Sequence, residues 1–177
     1  MTDYFELYDL PLSFNPDAAL VKKKFYELSR LYHPDRFIQA GNAQQQEALR
    51  MAALNNAAYK TLTNSDATMA YILKQQGLME EEQKYSLPAS FLGEMMDLNE
   101  LVSEYETDPH NSALRDDAEN SIEAELKAWQ MSVDALLKTA DGKATEKTLL
   151  TKVKDYYFRR KYLLRIKERI ATFAAPE

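Results

Sequence analysis

Apolar side chains recur along this chain at steps of three and four residues, the period of an amphipathic helix. Val21, Phe25, Leu28 and Tyr32 make one such stripe, and Met51, Leu54, Ala58 and Leu62 make another. A shorter group, Met69, Tyr71, Ile72 and Leu73, runs toward Gly77, a residue suited to the left-handed position after a helix. Beyond a polar stretch over 78–86 come three longer stripes. The first holds Phe91, Met95, Leu98, Val102 and Tyr105. The second holds Ala118, Ile122, Leu126, Trp129, Val133 and Leu136. The third holds Leu149, Val153, Tyr156, Leu163, Ile166, Ile170 and Phe173. No segment alternates apolar and β-branched residues as a half-buried strand does. With only 4 Gly among 177 residues, the pattern predicts an all-α protein.

The breakers divide these stripes into elements. Tyr4 to Leu10 reads as a short helix stopped by Pro11. Asn15 reads as the N-cap of the next helix, with Pro16 at its first position, where a missing N–H costs nothing. Pro34 ends that helix by disfavouring helical geometry in the residue before it. Gly41-Asn42 marks a loop, Gln45 to Leu62 a third helix, and Asn64-Ser65-Asp66 a stop and new cap. Asp108-Pro109 and Asp141-Gly142 separate the last three helices; such short connections make sequential helices antiparallel neighbours, and three of them close a bundle. The expected organisation is a helical domain over 1–76, a linker over 77–87 and a three-helix bundle over 88–177.

Charge sharpens this picture. The net charge is −6, but residues 1–77 balance at 0, residues 78–126 carry −12 and residues 127–177 carry +6. The overall acidity argues against nucleic acid as the main partner. The acidic and basic segments read as faces that meet within a bundle. No window reaches the roughly 20 apolar residues of a membrane span, so no membrane partner is expected. The start, Met1-Thr2-Asp3-Tyr4-Phe5, lacks the basic and apolar regions of a secretory signal, which leads to a cytoplasmic expectation. With no cysteine, and two histidines far apart (His33, and His110 in a turn), neither a metal site nor a cofactor is expected.

His33-Pro34-Asp35 directly follows a helix whose polar face carries Lys22, Lys23, Lys24 and Arg30. A tripeptide alone is weak evidence. Here it stands in order with Tyr4, Phe5 and Leu7 before it, inside Tyr32-His33-Pro34-Asp35-Arg36-Phe37, and ahead of the run Asn55-Asn56-Ala57-Ala58-Tyr59-Lys60-Thr61-Leu62. Over roughly the first 75 residues this resembles the J domain of DnaJ-type proteins. The Gly/Phe-rich segment and cysteine-rich zinc modules of a general DnaJ protein do not follow. Tyr71-Ile72-Leu73, the acidic linker and Phe91-Leu92-Gly93-Glu94-Met95-Met96-Asp97-Leu98 instead make the chain similar to the HscB-type J proteins of iron–sulfur cluster assembly. Thr68-Met69 stands where that family often has Arg-Ala, a departure that leaves the His33–Asp35 loop alone.

The resemblance implies a co-chaperone without catalytic activity of its own. His33, Pro34 and Asp35, with Lys22, Lys23, Lys24 and Arg30, would dock on an HscA/DnaK-type chaperone and promote its ATP hydrolysis. The bundle would hold an IscU-type iron–sulfur scaffold protein, at the positions matching Leu92, Met96, Asp97, Glu100, Glu104 and Phe158. The periodicity marks the same strip independently. Leu92 and Met96 lie one step off the core stripe, Asp97, Glu100 and Glu104 continue that flank, and Phe158 lies about 200° around its helix from Tyr156. The other reading of these side chains is that they pack on the first domain or the linker. Two further readings of the chain are a J protein that recruits a different client, and a helical enzyme working in an acidic cleft.

Overall fold

A computed structural model describes residues 3–80, 84–140 and 146–173. Among them every regular element is helical. The chain divides into two compact units, one built from residues up to Gly77, the other from Leu78 to Thr139 and from Lys147 onward.

The first unit contains α1 (Tyr4–Leu7), α2 (Ala18–Leu31), α3 (Asn42–Leu62) and α4 (Ser65–Gln75), with a short 3-10 turn over Pro34–Phe37. The α2 cap differs from the expectation at Asn15. Asp17 accepts hydrogen bonds from the backbone N–H groups of Ala19 and Leu20 at 2.8 and 3.0 Å. Two Asx residues two apart can both serve as caps, and the one whose carboxylate reaches two orphan donors starts the helix. Asn64 caps α4 as its position implies, accepting from the Ala67 N–H at 2.9 Å. Gly77 follows α4 at φ +68°, the left-handed geometry glycine adopts without strain.

Helices α2 and α3 form an antiparallel hairpin. Phe25 stacks on Tyr59 with ring centroids 4.2 Å apart, and the Asn55 side-chain amide donates to the Phe25 carbonyl and to Ser29 Oγ, both at 3.0 Å. α1 and α4 close the open side: Phe5, Tyr8, Val21, Ala58, Met69, Ile72 and Leu73 are all buried. Burying each of the larger ones stabilises the unit by roughly 2 kcal/mol. Tyr4 stacks on Tyr71 at 4.5 Å, and the Tyr71 hydroxyl donates to Asp3 at 3.1 Å while accepting the Tyr4 N–H at 3.0 Å.

The second unit holds α5 (Ala89–Glu94), α6 (Met96–Thr107), α7 (Ser112–Ala140) and α8 (Lys147–Phe173). The expected single helix from Pro88 is thus two. At Met95 the backbone turns to φ −89°, ψ 3°, two residues after Gly93, a poor helix former. Its carbonyl is taken by the Asn99 side-chain amide at 2.7 Å. The stripe survives the break, since Phe91, Met95, Leu98, Val102 and Tyr105 are all buried. In the other two stripes adjacent leucines exchange places: Leu137 and Leu150 are buried where Leu136 and Leu149 were expected. Phe173, expected in the core, is 39% exposed at the last residue of α8, where a final turn is only partly covered.

Polar ties fix the directions of the three long helices. Asn99 donates to Tyr162 at 2.7 Å and Arg169 to Glu106 at 3.0 Å, so α6 and α8 run parallel. Trp129 donates to the Tyr156 carbonyl at 2.8 Å and Lys167 pairs with Glu123, so α7 runs antiparallel to α8.

Candidate functional site: an exposed His-Pro-Asp loop and an outward strip on the bundle

The His33–Asp35 segment leaves α2 at Tyr32 and turns through the 3-10 element to α3. His33 caps that turn: its Nδ1 accepts the Asp35 N–H at 3.3 Å, and Asp35 Oδ2 lies 3.6 Å from the same nitrogen. The loop is anchored at both ends. Arg36 reaches back to the Arg30 carbonyl at 3.0 Å, and Gln45 on α3 donates to the carbonyls of Ile38 and Ala40 at 3.2 and 3.1 Å. Yet the side chains of His33 and Asp35 are 57% and 79% exposed. A loop held at its ends, stiffened by proline and open at its tip offers donors and acceptors to a partner at a small ordering cost.

The basic residues of α2 do not all share one face. At about 100° per residue, Lys22, Lys23 and Arg30 fall within one third of the helix circumference. Lys24 lies about another 100° beyond Lys23. It is the least exposed of them, and its Nζ is 3.6 Å from Asp9 on the side of the unit's core. Tyr26, 50% exposed, falls between Lys22 and Arg30 and joins the basic face in its place. A run of three lysines hides that division, whereas the helical angle of Tyr26 could have shown it.

On the second unit, Leu92 and Met96 are 41% and 67% exposed, well clear of the buried stripe beside them. Asp97, Glu100 and Glu104 are exposed as well. The Asn99–Tyr162 hydrogen bond marks the seam where α6 meets α8. Around α6, Met96 and Glu100 flank Asn99 on the side away from the core, at about 60° and 100°. Around α8, Phe158 and Arg165 flank Tyr162 on the side away from that core, at about 40° and 60°. The two flanks therefore lie side by side along the outer seam.

Phe158 has a neighbour of its own. The Tyr85 ring stacks on it at 4.4 Å and 10°, and the Tyr85 hydroxyl donates to Asp155 Oδ1 at 3.1 Å. Burial, then the hydrogen bond to the Asp155 carboxylate, raises the Tyr85 phenol above its ordinary pKa. Asp155 is also ion-paired with Arg159, whose Nε lies 2.6 Å from Oδ2, and the Arg159 guanidinium covers Phe91 at 4.9 Å. So part of the stretch read as linker is docked on α8, and the alternative reading of Phe158, packing against that stretch, describes its contact. Nothing local in the sequence announces a stack between residues 73 positions apart.

A family model described as the HSCB C-terminal oligomerisation domain matches residues 87–171, the span that holds the outward strip. The human iron-sulfur cluster co-chaperone protein HscB is 31% identical over 175 residues, covering 98% of this chain and 69% of that protein. The chain belongs to the HscB family. The co-chaperone protein HscB of Proteus mirabilis is also 31% identical, over 141 residues covering 79% of this chain and 80% of its own length. The crystal structure of the human HscB protein superposes with a TM-score of 0.75 at 28% identity, over 100% of this chain and 84% of that one.

Relatives carry the name co-chaperone. Among the described residues no group of three or more His, Cys, Asp or Glu could hold a metal, and no helix is long and apolar enough to cross a membrane. Tyr85 lies two residues ahead of the matched span, so it is a feature the family model leaves aside.

Proposed function

We propose that this chain is a co-chaperone of iron–sulfur cluster assembly. Residues 1–76 act as the J domain. The loop His33-Pro34-Asp35 and the basic face of Lys22, Lys23 and Arg30 dock on an HscA/DnaK-type chaperone in its ATP-bound state and accelerate hydrolysis. Residues 77–87 connect to the bundle over 88–177, which carries an IscU-type scaffold protein through Leu92, Met96, Asp97, Glu100, Glu104 and Phe158. The work is done without a cofactor, in the cytoplasm, on two protein partners.

The observation that carries this reading is the exposed loop: a histidine and an aspartate held outward at the end of a basic helix, with both ends of the loop tied down. Positive side chains steer the helix toward an acidic surface, and desolvated polar groups at the tip set the register. The exposed apolar pair Leu92 and Met96, rimmed by carboxylates, supports a protein contact on the other unit, since a bundle core has no use for it.

The test is ATP turnover by an HscA-type chaperone with this chain added. Stimulation is expected, and His33→Gln should abolish it with helicity and Tm unchanged, because an exposed loop-tip side chain contributes little to a core. Normal stimulation by the variant would remove the loop from the mechanism. Capture of the scaffold protein by the immobilised chain from its own cell extract tests the client; its absence beside another strongly bound protein would leave a J protein with a different cargo.

A further inference from the structure

The strip on α6 and the loop of the first unit leave one built feature unused. Tyr85, Phe158 and Leu164 line a groove of about 560 Å³ along the outward face of α8. Lys84, Lys161 and Arg165 complete its lining, with Glu168 the single carboxylate. Leu164 is 39% exposed and Phe158 is only half buried despite the Tyr85 stack. In a chain of net charge −6, and a second unit whose first half carries most of the acid, this is a local reversal of sign. Among the described residues neither Lys161 nor Arg165 is paired with a carboxylate. Lys161 instead leans over the Tyr157 ring at 5.4 Å.

We propose that this groove receives an acidic segment of the scaffold client, with at least one apolar side chain inserted against Phe158 and Leu164. The inference rests on the client reading given above and extends it past Phe158 to residues that reading leaves out. The charges choose the occupant. Three cations against one carboxylate disfavour a basic or neutral peptide and attract an acidic one over several ångströms. The aromatic floor then needs an apolar group, because a fully charged segment would leave Leu164 and Phe158 wet. Tyr85 is a positioning residue here. Its hydroxyl is fixed by Asp155, and its ring holds Phe158 in place as one wall of the groove. The client face is then bipolar, with carboxylates on the α6 side of the seam and cations on the α8 side. A partner that docks in one register cannot satisfy the opposite one, and this gives orientation as well as affinity.

The experiment is titration of purified IscU-type scaffold protein into the full chain, at low and at physiological salt. The natural sequence is compared with Lys161→Glu/Arg165→Glu, with Leu92→Ala/Met96→Ala and with Tyr85→Ala. Lys161→Gln with Arg165→Gln serves as a milder version of the reversal. The reversal should weaken scaffold binding about tenfold or more at low salt and flatten its salt dependence. It should leave chaperone stimulation in the absence of scaffold unchanged. Tyr85→Ala should weaken binding less, without altering the salt dependence. If Leu92→Ala/Met96→Ala weakens binding and the reversal does nothing, the groove is idle and the present inference fails while the client reading stands. If neither pair changes binding, the client reading itself fails. Should the reversal instead change the concentration dependence of the chain's own mass in sedimentation, with scaffold affinity unmoved, the occupant is a second copy and the inference is overturned.

Discussion

The hydroxyl of Tyr8 donates to the side-chain oxygen of Asn55 at 2.8 Å in the middle of the first unit, where both residues are essentially fully buried. The same hydroxyl lies 3.0 Å from the Asn55 backbone carbonyl, and the Asn55 amide spends its two hydrogens on α2, at Phe25 and Ser29. One polar side chain thus joins the chain after α1, the end of α2 and the middle of α3. A buried amide that satisfies all its bonds specifies one register of a helix pair, and a half-satisfied one destabilises it. The α2–α3 hairpin presents the His33–Asp35 loop at its tip, so the aim of that loop is set here.

Replacing Asn55 by Leu, close in volume, should lower stability by about 2–3 kcal/mol, since Tyr8 and Ser29 lose their buried partner. Tyr8→Phe should cost about 1 kcal/mol. The double variant should lose less than the two together, because two apolar groups then face each other and the Tyr8 hydroxyl is no longer stranded, while Ser29 loses its partner in either background. Urea denaturation of the four proteins gives the cycle. Strict additivity would show that the two side chains do not act as a unit.

Tyr71 makes stability depend on alkaline pH. Its phenol is pushed up to about 12, chiefly by burial, with the hydrogen bond to Asp3 adding to the rise. An acid whose folded pKa lies above its unfolded value of roughly 10 binds its proton more tightly in the native state. Its contribution is therefore complete below pH about 10 and is lost as the pH climbs through about 12. Burial pushes Tyr8 upward as well, in the same direction. Thermal unfolding between pH 9 and 12 should show a falling Tm in the natural protein and a shallower fall in Tyr71→Phe. Parallel curves would place the alkaline loss elsewhere.

Much of this was legible because helical periodicity and breaker residues are local signals. Asn64 and Gly77 each stand where a cap is needed, and the α3 and α6 stripes bury mostly as their spacing implies. The bonding of Asn55 is not legible in the run that contains it, because an asparagine on an apolar face carries no mark of what it will bond. The Leu136/Leu137 and Leu149/Leu150 pairs were each off by one, since two adjacent leucines fit the same stripe and only the partner helix chooses between them. The break at Met95 left no trace in the periodicity, as the buried residues on either side keep their phase. In the candidate site, the exposed positions of Leu92 and Met96 followed from the angle between them and the core. The partnership of Tyr85 with Phe158 did not, because it depends on how an irregular segment is laid across a helix.

The division of the α2 lysines yields a sharper expectation for docking than their number does. Lys22, Lys23 and Arg30 share a face with Tyr26, while Lys24 turns toward Asp9. Steering depends on charge that faces the approaching partner and is screened over about 8 Å at physiological salt, against about 30 Å at 0.01 M. Reversing Lys22 and Lys23 to Glu should therefore slow association with an HscA-type chaperone by about tenfold at low salt, and by less as salt rises. Lys24→Gln should change the association rate little, and it removes an ion pair whose Asp9 side is 91% exposed, worth about 0.5 kcal/mol or less. Tyr26→Ala should act differently again. It removes an uncharged contact, so its loss should appear in faster dissociation rather than in slower, salt-dependent association. Stopped-flow measurement at several ionic strengths separates the three, with Lys138→Glu/Lys152→Glu on α7 and α8 as the control for net charge. Equal slowing by the control pair would show that only overall charge matters. Equal slowing by Lys24→Gln would return Lys24 to the docking face.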